Sequence, residues 1–154
     1  SGNVGARNAG RLLGKKAFLL TLFGDAAKGA AVVLILINLG YTSEIQLLAL
    51  LFSLVGHLFP ITLKFNGGKG VSTFCGGLLA FDPFIFLIFA GLSLILYAIS
   101  RSTIFAGMLA IFSAPILFII FDYSLQSCVI FSLNSTLVIW AHRIDLKERM
   151  NAWR

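Results

Sequence analysis

Six apolar runs occupy most of this chain, and they constrain its fold more than any other feature. The runs cover residues 17–39, 45–63, 71–82, 84–100, 103–121 and 125–141. A helix of about 20 apolar residues crosses the ~30 Å hydrocarbon core of a bilayer, and most of these runs come near that length. Hydrophobic residues make up 58% of the 154 positions and charged residues only 12%, a composition that favours an integral membrane protein. We therefore predict one all-α membrane domain over residues 1–154, built as a polytopic bundle of about six helices.

One of the runs, residues 71–82, is too short to cross a bilayer. At about 1.5 Å per residue, a helix of this length reaches only ~18 Å. It follows a glycine-rich loop at residues 64–73, which reads KFNGGKGVST. Irregular backbone at membrane depth has to lie within protein or in a water-filled cavity, because lipid offers no hydrogen-bond partners. We expect this glycine loop to lie in a recess, with a short helix after it.

The basic residues separate to one side if each run crosses once. All of the 12 Lys and Arg residues except Lys28 then lie at residues 1–16, 64–69, 101 and 142–154. The opposite turns carry Glu44, Asp82 and Asp122 without Lys or Arg. By the positive-inside rule the basic side is cytoplasmic, and residues 142–154 form a basic tail there. The chain does not begin with Met, and we expect one further helix upstream, which makes seven in the full protein.

The glycine loop has the composition of an anion site. Lys69 lies between glycines, where a mobile ammonium stands beside unhindered backbone N–H groups. Ser72 or Thr73 is expected to cap the following helix, whose N-terminus favours anions. The loop is not a Walker A motif, because Leu63 and Gly70 occupy positions that need Gly and Ser or Thr.

The start of the chain offers a second anion site. Residues 1–11 read SGNVGARNAGR, in which small residues let backbone N–H groups approach an anion. Arg11 adds a forked donor that suits phosphate. The alternative is a capped basic turn beside the membrane, since Gly, Asn and Arg suit any interfacial loop.

Two further segments on the basic side can be interpreted in two ways each. Arg101, in a short polar break, is either a ligand contact or a positive-inside anchor. His142 and Asp145 can share one helix face, which would raise the pKa of the imidazole or orient it as an acid or base. The alternative for this second segment is an amphipathic basic tail on anionic lipid headgroups. His57, just before a Phe-Pro break, is interpreted as a hydrogen-bonding residue at a helix end.

The apolar runs contain one expected charged pair, and the sequence lacks the residue patterns of metal sites, channels and transporters. Asp25 and Lys28 are expected to pair across one helix turn near the site. With only two His and no acidic cluster facing them, we expect no catalytic metal. Channels and transporters usually carry a stripe of intramembrane acids or paired broken helices, and the sequence has neither pattern.

Taken together, these blocks resemble the bacterial membrane glycerol-3-phosphate acyltransferases of the PlsY type, which use acyl phosphate as donor. One block is SGNVGARN with Arg11 and the GKK of residues 14–16. Another is GHLFP at residues 56–60 leading to GGKGVST at 67–73, and the last is His142-Arg143 with Asp145. Asp25 with Lys28-Gly29 also matches, so the resemblance covers essentially the whole chain.

This resemblance implies transfer of a fatty acyl group from acyl phosphate to the 1-hydroxyl of sn-glycerol 3-phosphate, giving lysophosphatidic acid for phospholipid biosynthesis. It implies a seven-helix protein of the bacterial inner or plasma membrane, with a cytoplasmic active site and no cofactor. The expected partners are both substrates and membrane lipid, but not nucleic acid. The implied catalytic residues are Ser1, Lys69 and His142. Phosphate would be bound by Asn3, Arg11, Gly67, Gly68 and Gly70, with support from His57, Arg101 and Asp145.

Three departures from the family pattern bear on activity. Arg7 stands where the family commonly has Thr, and Ile104 and Gly107 stand at usual serine positions. Asp145 replaces an asparagine, and its carboxylate would repel phosphate unless it pairs with His142 or Arg143. The alternatives are therefore a diverged paralogue with another acceptor, an inactive copy, or a non-enzymatic membrane transporter or lipid-binding protein.

Overall fold

A computed structural model of the chain describes residues 4–151, which form eight α-helices and one short 3-10 helix at Ile61–Leu63. The α-helices are α1 (Ala6–Leu13), α2 (Lys15–Asn38), α3 (Ser43–Leu58), α4 (Val71–Phe81), α5 (Pro83–Ser100), α6 (Thr103–Ile120), α7 (Leu125–Ala141) and α8 (Arg143–Asn151). Helices α2 to α7 coincide with the six apolar runs. The prediction of an all-helical membrane bundle is confirmed.

Four helices within residues 4–151 are long and apolar enough to cross a membrane. They are α2, α3 with its extension to Leu63, α5 and α6. Helices α4 and α7 are apolar but shorter, with 11 and 17 residues. Because α4 reaches only about 16 Å, it spans only part of the thickness that its long neighbours define.

Two helix boundaries differ from the sequence prediction. Helix α3 ends at Leu58 rather than at residue 63, because Pro60 lacks an N–H and disfavours helical backbone at Phe59. Near the start of the chain, residues 6–13 form α1, where the sequence predicts only a polar glycine segment. Gly14, at a φ of 84°, separates α1 from α2.

Helix α4 lies at the centre of the bundle and packs directly on the backbone of α2. A Cβ on Gly29 of α2 would overlap the carbonyl oxygen of Thr73, and one on Gly76 of α4 would overlap that of Ala26. Small residues at such a crossing let two membrane helices approach closely and gain dispersion contacts. This contact holds α4, and with it the end of the glycine loop, against α2.

The bundle interior is aromatic, and a buried amide there links two of the helices. The fully buried rings of Phe74, Phe118 and Phe131 stack in series, with Phe131 5.3 Å from Phe74 and 4.1 Å from Phe118 between centroids. The buried amide of Asn134 donates to the carbonyl of Leu47 at 3.2 Å. Because lipid cannot satisfy polar groups, such bonds fix α7 against α3.

The three acidic turns meet at one end of the bundle. Asp82 caps α5, its Oδ1 accepting from the N–H of Phe84 at 2.8 Å, and its Oδ2 accepts from the hydroxyl of Tyr123 at 2.7 Å. Glu44 accepts hydrogen bonds from the hydroxyls of Ser124 and Ser127. The turns that the charge pattern assigned to a common side are thus joined to each other.

The glycine loop lies toward the opposite end of the bundle, deeper within it than the first residues of α2. The side chain of His57, at the end of α3, meets Asp25, the eleventh residue of α2. The ten residues of α2 before Asp25 extend about 15 Å beyond this level. Their side chains include the exposed Leu19, Leu20 and Phe23. The structure therefore has the short helix after a recessed loop that the sequence predicts.

Candidate active site

The glycine loop folds back onto the end of α3. A left-handed turn at Lys64, with a φ of 51°, reverses the chain. The N–H groups of Gly67 and Gly68 then donate to the carbonyls of Leu58 (3.0 Å) and His57 (3.2 Å). A Cβ on Gly67 would overlap the His57 carbonyl. Glycine is therefore needed here for close backbone approach, and these two N–H groups already have acceptors.

Gly70 ends the loop and begins α4. Its φ of 83° lies in the left-handed region, and a Cβ would come within 3.0 Å of the Leu58 side chain. The expectation that Ser72 or Thr73 caps α4 is wrong, because Gly70 is the N-cap and both residues lie inside the first turn. In the described residues, no side chain caps this N-terminus. Its N–H groups and dipole favour an anion beside Gly70.

Lys69 forms an ion pair with Asp145, on the first turn of α8. Both side chains are partly buried, with 31% and 23% of their surfaces exposed. The sequence leads us to expect His142 or Arg143 as the partner of this carboxylate. Asp145 instead pairs with Lys69, and the guanidinium of Arg143 stacks 3.9 Å from the ring centroid of Trp140.

His142 is buried beside this ion pair, with 8% of its surface exposed. Its Nδ1 lies 2.9 Å from the carbonyl oxygen of Val138. Since a carbonyl only accepts, Nδ1 carries the proton of the neutral ring, and Nε2 carries a lone pair. The Val138 carbonyl is a partner that the sequence analysis missed, although a residue four positions earlier on a helix is a natural candidate.

The pKa of His142 is lowered overall, although the charge of Asp145 raises it in the expected direction. Burial is the largest cause, because it disfavours the charged imidazolium. The hydrogen bond to Val138 and the charge of Asp145 raise the pKa, and the positive charges of Lys69 and Arg7 lower it, so burial decides the direction. His142 is therefore a neutral imidazole that lies next to cationic groups and carries a lone pair on Nε2.

A second cluster of polar side chains, Asp25, Lys28 and His57, lies next to the glycine loop. Asp25 accepts from the ammonium of Lys28 at 2.9 Å, which confirms the predicted pair. The same carboxylate oxygen lies 3.7 Å from Nδ1 of His57. The other side of that ring faces Gly68, where a Cβ would overlap Nε2.

Not every predicted site residue joins these clusters. Ser1 and Asn3 lie outside the described residues. Arg11 and Arg101 are exposed, and within residues 4–151 no side-chain hydrogen bond or ion pair connects either of them to Lys69 or His142. Arg11 does share a face of α1 with Arg7, four residues earlier.

The departures at the usual serine positions lie on α6. A Cβ at Gly107 would have no neighbouring atom within 4 Å, so this position borders open space. Ile104 is half-buried. The described residues contain no group of three or more His, Cys, Asp and Glu side chains that could hold a metal ion. The chemistry of this arrangement is that of anion binding next to a base.

Comparison with known proteins gives one consistent family. The family described as glycerol-3-phosphate acyltransferase matches residues 1–152. A protein named glycerol-3-phosphate acyltransferase 1 from Bacillus cereus is 43% identical over 143 residues, 93% of this chain and 79% of that protein. One of the same name from Desulfitobacterium hafniense is 38% identical over 98% of this chain and 75% of its own length.

Solved structures agree with the sequence comparison. The crystal structure of PlsY, described as an integral membrane glycerol 3-phosphate acyltransferase in its glycerol 3-phosphate form, superposes with a TM-score of 0.90. It is 30% identical, and the match covers 99% of this chain and 76% of that one. The lysophosphatidic acid form gives a TM-score of 0.89 at 29% identity, over 97% of this chain and 77% of that one. With its membrane-spanning helices and with relatives matched over most of their length, this chain belongs to the glycerol-3-phosphate acyltransferase family.

Proposed function

We propose that this protein transfers a fatty acyl group from acyl phosphate to the 1-hydroxyl of sn-glycerol 3-phosphate, giving lysophosphatidic acid and phosphate. The observation that carries the proposal is the meeting of Lys69 and the neutral imidazole of His142 beside the N-terminus of α4. An anion-binding group and a proton acceptor then serve one reaction centre.

Binding of two phosphate-bearing substrates needs several donors. Lys69 supplies a point charge, and the N-terminus of α4 at Gly70 supplies backbone N–H groups and the positive end of a helix dipole. Arg7 and Arg11, on one face of α1, add guanidinium donors, and Arg7 lies close enough to affect His142. We assign Ser1 and Asn3, which precede α1, to the same phosphate-binding group.

The proton of the acceptor hydroxyl has two candidate destinations, and we favour His142. Its Nδ1–H is held by the Val138 carbonyl, which leaves Nε2 to accept the proton. The hydroxyl oxygen then bonds to the acyl carbon, and the bond from that carbon to the phosphate oxygen breaks. Phosphate leaves with the bonding electron pair, and Lys69 stabilises its charge. The alternative acceptor of the proton is a substrate phosphate oxygen.

Acyl phosphate is a reactive mixed anhydride, so positioning and electrostatics suffice without a covalent enzyme intermediate. Gly67 and Gly68 contribute by letting the loop press against α3, and not by donating their own N–H groups. The lysines and arginines near the loop lie on the side that the positive-inside rule assigns to the cytoplasm. We accordingly place the active site on the cytoplasmic face of the bacterial cell membrane, with the acyl tail among apolar helices.

The assay that tests this proposal measures phosphate release by the full-length protein in lipid vesicles. We expect release from acyl phosphate only when glycerol 3-phosphate is added, with a 1-acyl product. Equal turnover of acyl-CoA would disprove the assignment of the donor, and a 2-acyl product would disprove that of the hydroxyl. Solute uptake into the vesicles in the absence of an acyl donor would favour a transporter instead.

A further inference from the structure

Asp25 and His57 form a buried polar pair that the proposed reaction does not use directly. Their side chains are 10% and 9% exposed, and they come from different helices, α2 and α3. A carboxylate within a membrane-spanning helix is costly and usually has a specific role. Lys28 compensates part of its charge, but 62% of the Lys28 side chain is exposed, so the ammonium interacts with its surroundings as well.

The position of the ring explains what this pair can do. Nδ1 of His57 lies 3.7 Å from Asp25, while the Nε2 side of the ring is packed against Gly68 so closely that a Cβ would not fit. The backbone of His57 holds the same glycine, because its carbonyl accepts from the Gly68 N–H at 3.2 Å. Gly68 is therefore held from two directions by one residue.

Lys69 is the next residue in the chain, so the place of Gly68 sets the place of the Lys69 Cα. A displacement of about 1 Å at a reacting group can lower a rate by about 100-fold. The opposite end of the Lys69 side chain meets Asp145, which approaches from α8. The ammonium is thus located by contacts at both ends.

We propose that Asp25 and His57 are positioning residues that hold Gly68 and thereby place the Lys69 ammonium for catalysis. This inference rests on the proposed function of Lys69. Asp25 fixes the orientation of the His57 imidazole. The imidazole limits how closely Gly68 can approach α3, and this limit sets the position of the loop. This role needs no contact between either residue and substrate.

Two variants test the proposal from opposite sides. Asp25→Asn keeps the shape of the side chain but loses its charge, and we expect kcat to fall about 10-fold or more with less than a threefold change in KM for acyl phosphate. Gly68→Ala keeps every charge but pushes the loop away from His57. It should give the same fall in kcat, again with less than a threefold change in KM. The control Asp122→Asn removes an exposed carboxylate at the opposite, acidic end of the bundle and should stay within threefold of the parent.

A readout independent of turnover uses Lys69→Cys as a reporter of loop position. The rate at which a water-soluble, charged thiol reagent modifies this cysteine is measured alone and together with Asp25→Asn or Gly68→Ala. The proposal predicts at least a threefold change in rate with either second substitution, and no such change with Asp122→Asn.

The outcomes separate this inference from the proposed function. An unchanged labelling rate together with an unchanged kcat would overturn the positioning role, whatever the reaction is. A changed labelling rate, together with a parent protein that releases no phosphate, would support the role in placing Lys69 while refuting the proposed reaction. If Asp25→Asn does not fold, Gly68→Ala decides the matter by the same two measurements.

Discussion

Lys69 of the glycine loop and Asp145 of α8 form an ion pair across 76 positions of sequence. The ammonium that we propose to hold a substrate phosphate therefore already has a carboxylate partner. A phosphate that binds Lys69 has to share the ammonium with Asp145 or displace the carboxylate. Asp145 thus weakens substrate binding while it helps to locate the lysine.

Substitution Asp145→Asn should therefore lower the KM for the substrate whose phosphate contacts Lys69. Partly exposed ion pairs contribute about 0.2–1 kcal/mol, which corresponds to a change of about 1.4-fold to fivefold. Steady-state kinetics with each substrate varied in turn measure the effect. Glu148→Gln, an exposed acid on the same helix, serves as control and should leave both KM values unchanged. A higher KM in Asp145→Asn would mean that the carboxylate assists binding.

Removal of the ammonium itself should abolish most of the activity. We expect Lys69→Ala to lower kcat/KM by at least 100-fold, because a preorganised donor to developing charge is typically worth about 3–4 kcal/mol. Lys64→Gln changes an exposed lysine of the same loop and should stay within threefold. Since Lys69→Ala leaves Asp145 without its partner, the double variant with Asp145→Asn is needed as well. Recovery of activity in the double variant would show that an unpaired carboxylate, and not the missing lysine, caused the loss.

The pH dependence of the rate should report His142. Burial lowers the pKa of this imidazole below its ordinary value near 6.5, so the neutral, proton-accepting form persists into mildly acidic solution. The rate should fall only as the pH drops through this lowered pKa. The unfolded chain binds the proton near pH 6.5 and the folded chain only at lower pH, so His142 also makes the fold less stable across that window as pH falls.

The matched variants for this measurement are His142→Gln and His57→Gln, which remove the only two histidines in turn. We expect the acidic limb to vanish in His142→Gln and to persist in His57→Gln. If His142→Gln keeps both the limb and the parent kcat, a substrate phosphate oxygen accepts the proton instead.

Much of the fold could be predicted because apolar runs and their interruptions are local properties. Pro83 begins α5 and Gly70 begins α4, as their backbone preferences allow. The sequence did not reveal α1, since three glycines in residues 5–14 obscure the helix formers between them. Its helical state depends in part on contact with α2, where Gly10 packs against Phe18.

Lys69, His142 and Asp145 could be named from the sequence, but how they pair could not. Lys69 stood out between glycines, and His142 and Asp145 stood out by their spacing of three, although His142 lies just before the helix that carries Asp145. The partner of Asp145 depends on how α8 approaches a loop 76 residues away, and no local pattern encodes that approach. The lowered pKa of His142 likewise depends on burial, which spacing does not report.

The contact between α2 and α4 gives a prediction about stability that is independent of the reaction. In Gly29→Ala, the new methyl group would overlap the backbone carbonyl of Thr73, which cannot rotate away as a side chain could. We expect the variant to lose about 1–3 kcal/mol of stability, since overpacking forces the helices apart. Gly24→Ala, on the same helix, adds its methyl group to open space and gains helix propensity of up to about 1 kcal/mol. Thermal unfolding in detergent should therefore show a lower midpoint for Gly29→Ala and an equal or higher one for Gly24→Ala. Equal midpoints for both variants would mean that α2 and α4 are not in backbone contact, and the support of the glycine loop by α2 would then have to be abandoned.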